Sequence, residues 1–251
     1  MRVDGGQAIA TLAEWLREAK RGVAFTGAGI STESGIDDFR SPGGLWTRHT
    51  PVMFDDFVRD AEERKRFWRQ RREMMPTLLA AKPNAGHAAL ARLEEEGRIR
   101  GVITQNIDEL HQRAGSRRVL ELHGTAMKVH CLSCDKRWGC EEIQQRLDAG
   151  EEELRCDACD GYLKSMTVSF GQAMPATVMM EAAQWARDCD LFIAMGSSLV
   201  VYPAAELPEI AKRRGARLVI INREPTPLDE MAELVIRAPI GETMRTVLEP
   251  P

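Results

Sequence analysis

Two rhythms of apolar residues alternate along this chain. Ile9, Leu12, Ala13 and Leu16 recur at three- and four-residue intervals, the spacing of one helix face. Gly22–Thr26 is instead a short, continuous apolar run that ends in glycines, which predicts a buried strand. Similar runs stand at Arg100–Thr104, Val119–Leu122, Leu191–Met195 and Leu218–Ile221. Helical patterns lie between them, at about 87–96, 175–187 and 204–214. Such alternation predicts an α/β fold, a parallel sheet covered by helices on both faces. Ligands of such sheets bind beyond the carboxyl ends of the strands. The loops after Thr26, Thr104, Leu122, Met195 and Ile221 are therefore where chemistry is expected, and each is polar or glycine-rich.

Residues 127–165 break the rhythm. They hold the acidic stretch Glu151-Glu152-Glu153 and show little apolar periodicity. They also hold two knuckles, Cys131-x-x-Cys134 and Cys156-x-x-Cys159. Four thiolates at this spacing predict one structural zinc in a closed tetrahedral shell. The 21 residues between the pairs (135–155) slightly exceed the usual ribbon spacing. Two disulfides or a redox motif are the bland readings; duplication of the knuckle argues against redox chemistry. A segment this poor in core residues is expected to depend on its metal for order. The expected organisation is thus a nucleotide-binding domain from residues 1–126 and 166–251, with 127–165 inserted as a smaller zinc-binding module. The small domain is expected to include helices within about 30–85.

Composition narrows the function. With 251 residues and 43% hydrophobic content, the chain can bury a sizeable core. A net charge of −4 gives no pull toward nucleic acid or an anionic membrane. No apolar run nears the roughly 20 residues of a membrane span, and the first residues do not resemble a signal peptide. Six cysteines, four of them metal-spaced, suit a reducing cytosol, so a cytoplasmic location is expected. Cys189 reads as core, and Cys140 as a spare thiol.

The first strand runs into Gly27-Ala28-Gly29-Ile30-Ser31-Thr32. Gly27 and Gly29 would let the backbone approach a pyrophosphate. A dinucleotide fingerprint needs glycine at 32, where Thr32 stands, so the loop alone is equally well a tight turn. The surrounding blocks decide otherwise: Gly35-Ile36-Asp37-Asp38-Phe39-Arg40, Gln105-Asn106-Ile107-Asp108, His123-Gly124, the cysteine pairs, Phe170-Gly171, Gly196-Ser197-Ser198-Leu199 and Asn222, in that order. Over about residues 8–248 the chain resembles the sirtuin family of NAD-dependent protein deacylases. It departs at Asp37, where the family usually has proline, at Glu109, often glycine, and at Gln172, usually glutamate. Asp37 also removes a rigid φ beside the cofactor loop.

The resemblance implies a Rossmann-like NAD-binding domain and a reaction on acyl-lysine proteins or peptides. NAD is the cosubstrate, and the products are lysine, nicotinamide and O-acyl-ADP-ribose. His123, at a strand end, would be the base, since histidine is neutral near pH 7. Asn106, Ile107 and Asp108 would form the nicotinamide pocket, with Asn106 also catalytic. Asp108 also reads as a helix cap. Phe39 would cover the cleaved bond, and Arg40 would meet phosphate or ribose. Gly27, Ala28, Gly29, Thr32, Gln105, Gly196, Ser197 and Ser198 fall at cofactor contacts. Asn222 would hold the adenosine ribose and Ile240 would pack on adenine. A substrate peptide would add as a strand between Val168, Phe170 and Gly171 and the loop Val200–Tyr202.

Acyl preference is open at this level. A Tyr-x-x-Arg motif serves acidic acyl chains in some relatives; here Trp68 and Arg71 occupy those positions, so half of it survives. Deacetylation is the favoured reading. Desuccinylation, demalonylation, long-chain deacylation and mono-ADP-ribosylation are the alternatives.

Overall fold

The computed structural model describes residues 5–38, 44 and 49–248. Phe39 and Arg40 lie outside the described residues. Helix α1 (Gly5–Glu18) leads into β1 (Gly22–Thr26). Two 3-10 turns, Ala28–Ile30 and Thr32–Ser34, follow at the tip of β1. Helices α2 (Phe54–Arg59), α3 (Ala61–Ala80) and α4 (Ala85–Glu95) precede β2 (Ile99–Thr104). A short α5 (Leu110–Arg113) separates β2 from β3 (Val119–Glu121). Next come β4 (Gly124–Cys131), β5 (Arg137–Gly139), α6 (Cys140–Asp148) and β6 (Leu163–Thr167). The chain then runs through α7 (Ala176–Asp188), β7 (Leu191–Met195), α8 (Glu206–Arg213) and β8 (Arg217–Ile221). It closes with β9 (Leu234–Ile236) and α9 (Ile240–Leu248).

Six strands form one parallel sheet in the order β3-β2-β1-β7-β8-β9. Counted within that sheet, this is the doubly wound order 3-2-1-4-5-6, whose switch point lies between β1 and β7. Alternate residues of β1 serve opposite faces, as the pleat requires. Ala24 packs with Leu12 of α1, Leu90 of α4 and Met244 of α9. Val23 and Phe25 pack with Trp185 of α7 and Leu207 of α8. The predicted parallel sheet with helices on both faces is what forms.

Strands β5-β4-β6 make a separate antiparallel sheet around the cysteines. Its core is richer than the sequence pattern implied. Val129, Trp138, Ile143, Leu147, Leu154 and Leu163 bury together, completed by Phe57 of α2 and by Phe67 and Trp68 of α3. These partners lie more than 60 residues upstream, so no window of local sequence reveals them. Arg64 of α3 is 5% exposed and fastens the same junction. It pairs with Glu153 at 2.9 Å, donates to the carbonyls of Phe57 and Val58, and lies over the Tyr162 ring.

Candidate active site

The glycines after β1 are needed first for packing. Gly29 N–H donates to the Gly196 carbonyl at 2.8 Å, joining the loops that follow β1 and β7. A Cβ on Gly27 or Gly29 would sit 2.7 Å from the Gly196 backbone, and one on Gly196 (φ +63°) would sit 2.4 Å from Ile30 N. The two loops interlock, and side chains there would force them apart. Gln105 extends the junction: its Nε2 donates to Ser197 Oγ at 2.8 Å.

These loops border a cavity of about 840 Å³. Its walls bring together most of the expected residues. Gly27, Ala28, Gly29, Thr32, Gln105, Asn106, Ile107 and His123 line it from the β1 and β2 side, and Gly196, Ser197, Ser198, Asn222 and Ile240 from the β7, β8 and α9 side. Val168, Phe170, Gly171 and Arg71 border it as well. Asp108 lies apart from these, 4% exposed and bordering an adjacent cavity of about 190 Å³ that shares Ala28, Asn106 and Ile107. Asp37 is exposed and borders the smaller cavity too.

His123 stands at the meeting point. Its Nδ1 lies 3.0 Å from the Gln105 carbonyl, which can only accept, so Nδ1 carries the proton. In the neutral ring this leaves the Nε2 lone pair to act as base. Burial holds the imidazole below its ordinary value, partly offset by the Gln105 hydrogen bond, so the neutral form prevails at pH 7. The His123 carbonyl accepts from Val168 N–H at 2.9 Å, tying the histidine to the segment expected to receive a peptide.

Asn106 and Asp108 are ordered by a residue the sequence reading passed over, Ser31. Its hydroxyl donates to Asp108 Oδ2 at 2.7 Å and accepts from Asn106 Nδ2 at 3.1 Å. Asp108 Oδ1 also accepts from Leu110 N–H at 2.9 Å, so it caps the start of α5 as well. The visible signal was the polar residue two places after Gly29, directly behind the glycine turn. Asn222 Nδ2 donates to the Glu224 carbonyl at 2.7 Å, which fixes its carboxamide at the far end of the cavity.

One position corrects the expectation. Trp68 is 2% exposed and stacks edge-on against Phe67, inside the core of the smaller sheet. It does not reach the cavity; Phe67, one position earlier on α3, does. In the loop Val200–Tyr202, Val201 and Tyr202 border the cavity and Val200 is 45% exposed beside them.

The cysteines converge as their spacing predicts. All four sulfurs lie within 4.8 Å of one another, with Cys131–Cys159 at 3.5 Å and Cys134–Cys156 at 3.7 Å. A disulfide needs about 2 Å. Tetrahedral zinc with Zn–S near 2.3 Å places sulfurs about 3.8 Å apart. Ser133 N–H and Ala158 N–H point at Cys131 Sγ and Cys156 Sγ, 3.3 and 3.4 Å away, as donors to thiolates. The donor set and its geometry fit a closed zinc site.

With this geometry in view, comparison with known proteins is decisive. The Sir2 family model matches residues 27–203. The chain belongs to the Sir2 family. Among its relatives is NAD-dependent protein deacetylase 1 of Bradyrhizobium diazoefficiens, 52% identical over 238 residues, 94% of this chain and 93% of that one. NAD-dependent protein deacylase 2 of Archaeoglobus fulgidus is 45% identical over 242 residues, 96% of this chain and 95% of that one. A Sir2 structure with a p53 peptide and NAD+ superposes with a TM-score of 0.88 at 41% identity, covering 96% of this chain and 97% of that one. The Sir2 fold thus accounts for both sheets and for the cavity between them.

Proposed function

We propose that this Sir2 protein removes acetyl groups from lysine side chains of proteins or peptides, consuming NAD and water and releasing nicotinamide and O-acetyl-ADP-ribose. The observation that carries the reading is His123: a neutral imidazole, proton on Nδ1, base nitrogen at the cavity, main chain tied to Val168. Bound NAD supplies a labile nicotinamide–ribose bond and the ribose hydroxyl that takes the acyl group. His123 Nε2 removes the proton of that hydroxyl. Asn106 and Asp108, ordered by Ser31, hold the nicotinamide carboxamide, whose amide donates and whose oxygen accepts. The interlocked loops at Gly27–Gly29 and Gly196–Ser198 carry the pyrophosphate, and Asn222 the adenosine ribose. Phe39 and Arg40 keep the roles that the resemblance implies, shielding the cleaved bond and meeting phosphate or ribose.

The zinc site stands apart from this chemistry. Four sulfurs fill the shell and leave no position for substrate, so the metal organises the smaller sheet. Mass spectrometry of products from NAD and an acetyl-lysine peptide tests the function. O-acetyl-ADP-ribose and free lysine peptide are expected, and stable ADP-ribosylation of protein without deacetylated peptide overturns it.

A second reading concerns the acyl chain. Arg71 Nη2 donates to Thr167 Oγ1 at 3.0 Å, while its Nη1 is buried beside the cavity without a partner among the described residues. Lys164, fully buried, bonds main-chain carbonyls of Ser165 and Thr167. Lys164 does not border the cavity and burial lowers its titration to about 7, so the Arg71 guanidinium alone favours a chain ending in a carboxylate. A kcat/KM for succinyl-lysine above that for acetyl-lysine would establish this reading over the first.

A further inference from the structure

Behind the nicotinamide-side cavity runs a hydrogen-bonded chain that touches no substrate in the proposed reaction. Thr26 and Thr104 end the neighbouring strands β1 and β2 and are partners in register. The Thr26 hydroxyl donates to Thr104 Oγ1 at 2.8 Å, so its own oxygen is left to accept. His111 Nε2, from α5, lies 2.9 Å from that oxygen and must therefore carry the proton. Thr104 Oγ1 also accepts from the backbone N–H of Asn106 at 3.0 Å. The line His111–Thr26–Thr104–Asn106 thus ends on the first residue of the nicotinamide pocket.

A second arm converges on the same residue. The His87 ring packs against His111 with centroids 4.8 Å apart. His87 Nδ1 accepts from Asn84 N–H at 3.3 Å, which leaves Nε2–H directed at Ser31 Oγ, 3.5 Å away. Ser31 in turn receives the Asn106 carboxamide N–H. Asn106 is gripped by its backbone through His111 and by its side chain through Ser31.

We propose that His111 is a positioning residue for the nicotinamide end of NAD, acting through the Thr26 and Thr104 hydroxyls on the Asn106 backbone. His111 is 1% exposed, and its Nδ1 is buried with no partner among the described residues. An apolar ring would fill the space without stranding a nitrogen, so bulk alone does not account for histidine here. What histidine adds is the Nε2–H. Burial and the neighbouring His87 hold its titration down to about 3, so the wall behind a cationic nicotinamide ring carries no competing positive charge from it.

The inference rests on the deacetylase reading and is tested by variants His111→Phe and Thr104→Val, with His111→Gln and Thr104→Ser as conservative partners. The readouts are the KM for NAD, the KM for acetyl-peptide, the inhibition constant of nicotinamide, and the melting temperature. Both chain-breaking variants are expected to raise the NAD and nicotinamide constants about tenfold, the effect of losing one oriented hydrogen bond. Peptide KM should stay within twofold, and the conservative partners should recover most of the loss. If either chain-breaking variant leaves both constants within twofold of the parent, the proposal fails. It fails equally if the constants change only in step with peptide KM and a lowered melting temperature. Should His111→Phe not fold, the Thr104 pair decides alone. A parent protein that makes no O-acetyl-ADP-ribose overturns the deacetylase reading itself, and this inference with it.

Discussion

The two sheets solve the same problem by different means. In the parallel sheet, β1 and β7 are buried along their whole length, and helices seal both faces. Stability comes from strands, which leaves the loops at their ends available for chemistry. In the antiparallel sheet, three strands share a core with helices α2 and α3 and gather around four sulfurs. There the loops carry stability, because the knuckles themselves are the cross-link. Outside the interlocked glycines 27, 29 and 196, a substitution in the loops of the first region should cost activity before stability, and one in the knuckles of the second should cost both together.

The most severe test of that difference is Cys131→Ala. Loss of one thiolate opens the shell, and destabilisation of at least about 3 kcal/mol is expected, with turnover falling in parallel. Thermal melts and NAD turnover on one preparation check it; lost turnover at an unchanged melting temperature would give the metal more than a structural part. His123→Ala should show the opposite profile: deacetylation down by about 10²–10⁴-fold with stability changed by less than about 1 kcal/mol. Residual deacetylation near the parent rate would remove His123 as the base. Arg64→Ala probes the seam between the regions. It breaks a largely buried ion pair with Glu153 and strands the Phe57 and Val58 carbonyls, so a loss of about 2–3 kcal/mol in denaturant unfolding is expected.

Acid should act through the parallel-sheet region. Burial holds His87 near 4 and His111 near 3 in the fold, against 6.5 for an ordinary histidine. Above pH 6.5 neither the folded nor the unfolded chain binds these protons. Below it the unfolded chain takes them up and the fold does not. Stability is therefore expected to fall as pH drops from 6.5 toward 4, by about 1.4 kcal/mol per histidine per pH unit. His111→Phe should flatten that slope in urea melts. The smallest effect is expected at Glu109→Gly. Glu109 sits at φ +55°, a conformation that favours glycine, but its carboxylate accepts from Thr125 at 2.7 Å and lies 3.7 Å from Lys128. Relief of strain and loss of these contacts oppose each other, so the net change should stay within about 1 kcal/mol.

The same contrast explains what the sequence revealed. Strands such as Gly22–Thr26 and Leu191–Met195 were legible because a fully buried parallel strand is a continuous apolar run. β9 escaped notice because Leu234–Ile236 is only three residues at the sheet edge. Helix α9 did carry a signal, Ile240, Met244 and Val247 at helical spacing, that the reading of Ile240 as a ligand contact obscured. The cysteine spacing was plain, yet the core beside it was not, since Phe57, Phe67 and Trp68 arrive from distant helices. Trp68 was misplaced for that reason: motif spacing chose its position, and packing turned its ring inward. Among the site residues, His123 was visible as a strand-end histidine. Ser31, His87 and His111 were not, because their importance lies in hydrogen bonds between elements and not in any local pattern.

The interlock of Gly29 with Gly196 bears on how this pocket can be redesigned. Each loop occupies the volume in which the other would have to grow a side chain. Positions 27, 29 and 196 are thus closed to single-site variation, and libraries aimed at altered nucleotide preference should leave them untouched. Diversity belongs at the half-buried Asn222 and the exposed Thr32, where new atoms meet the cavity and not the opposing backbone.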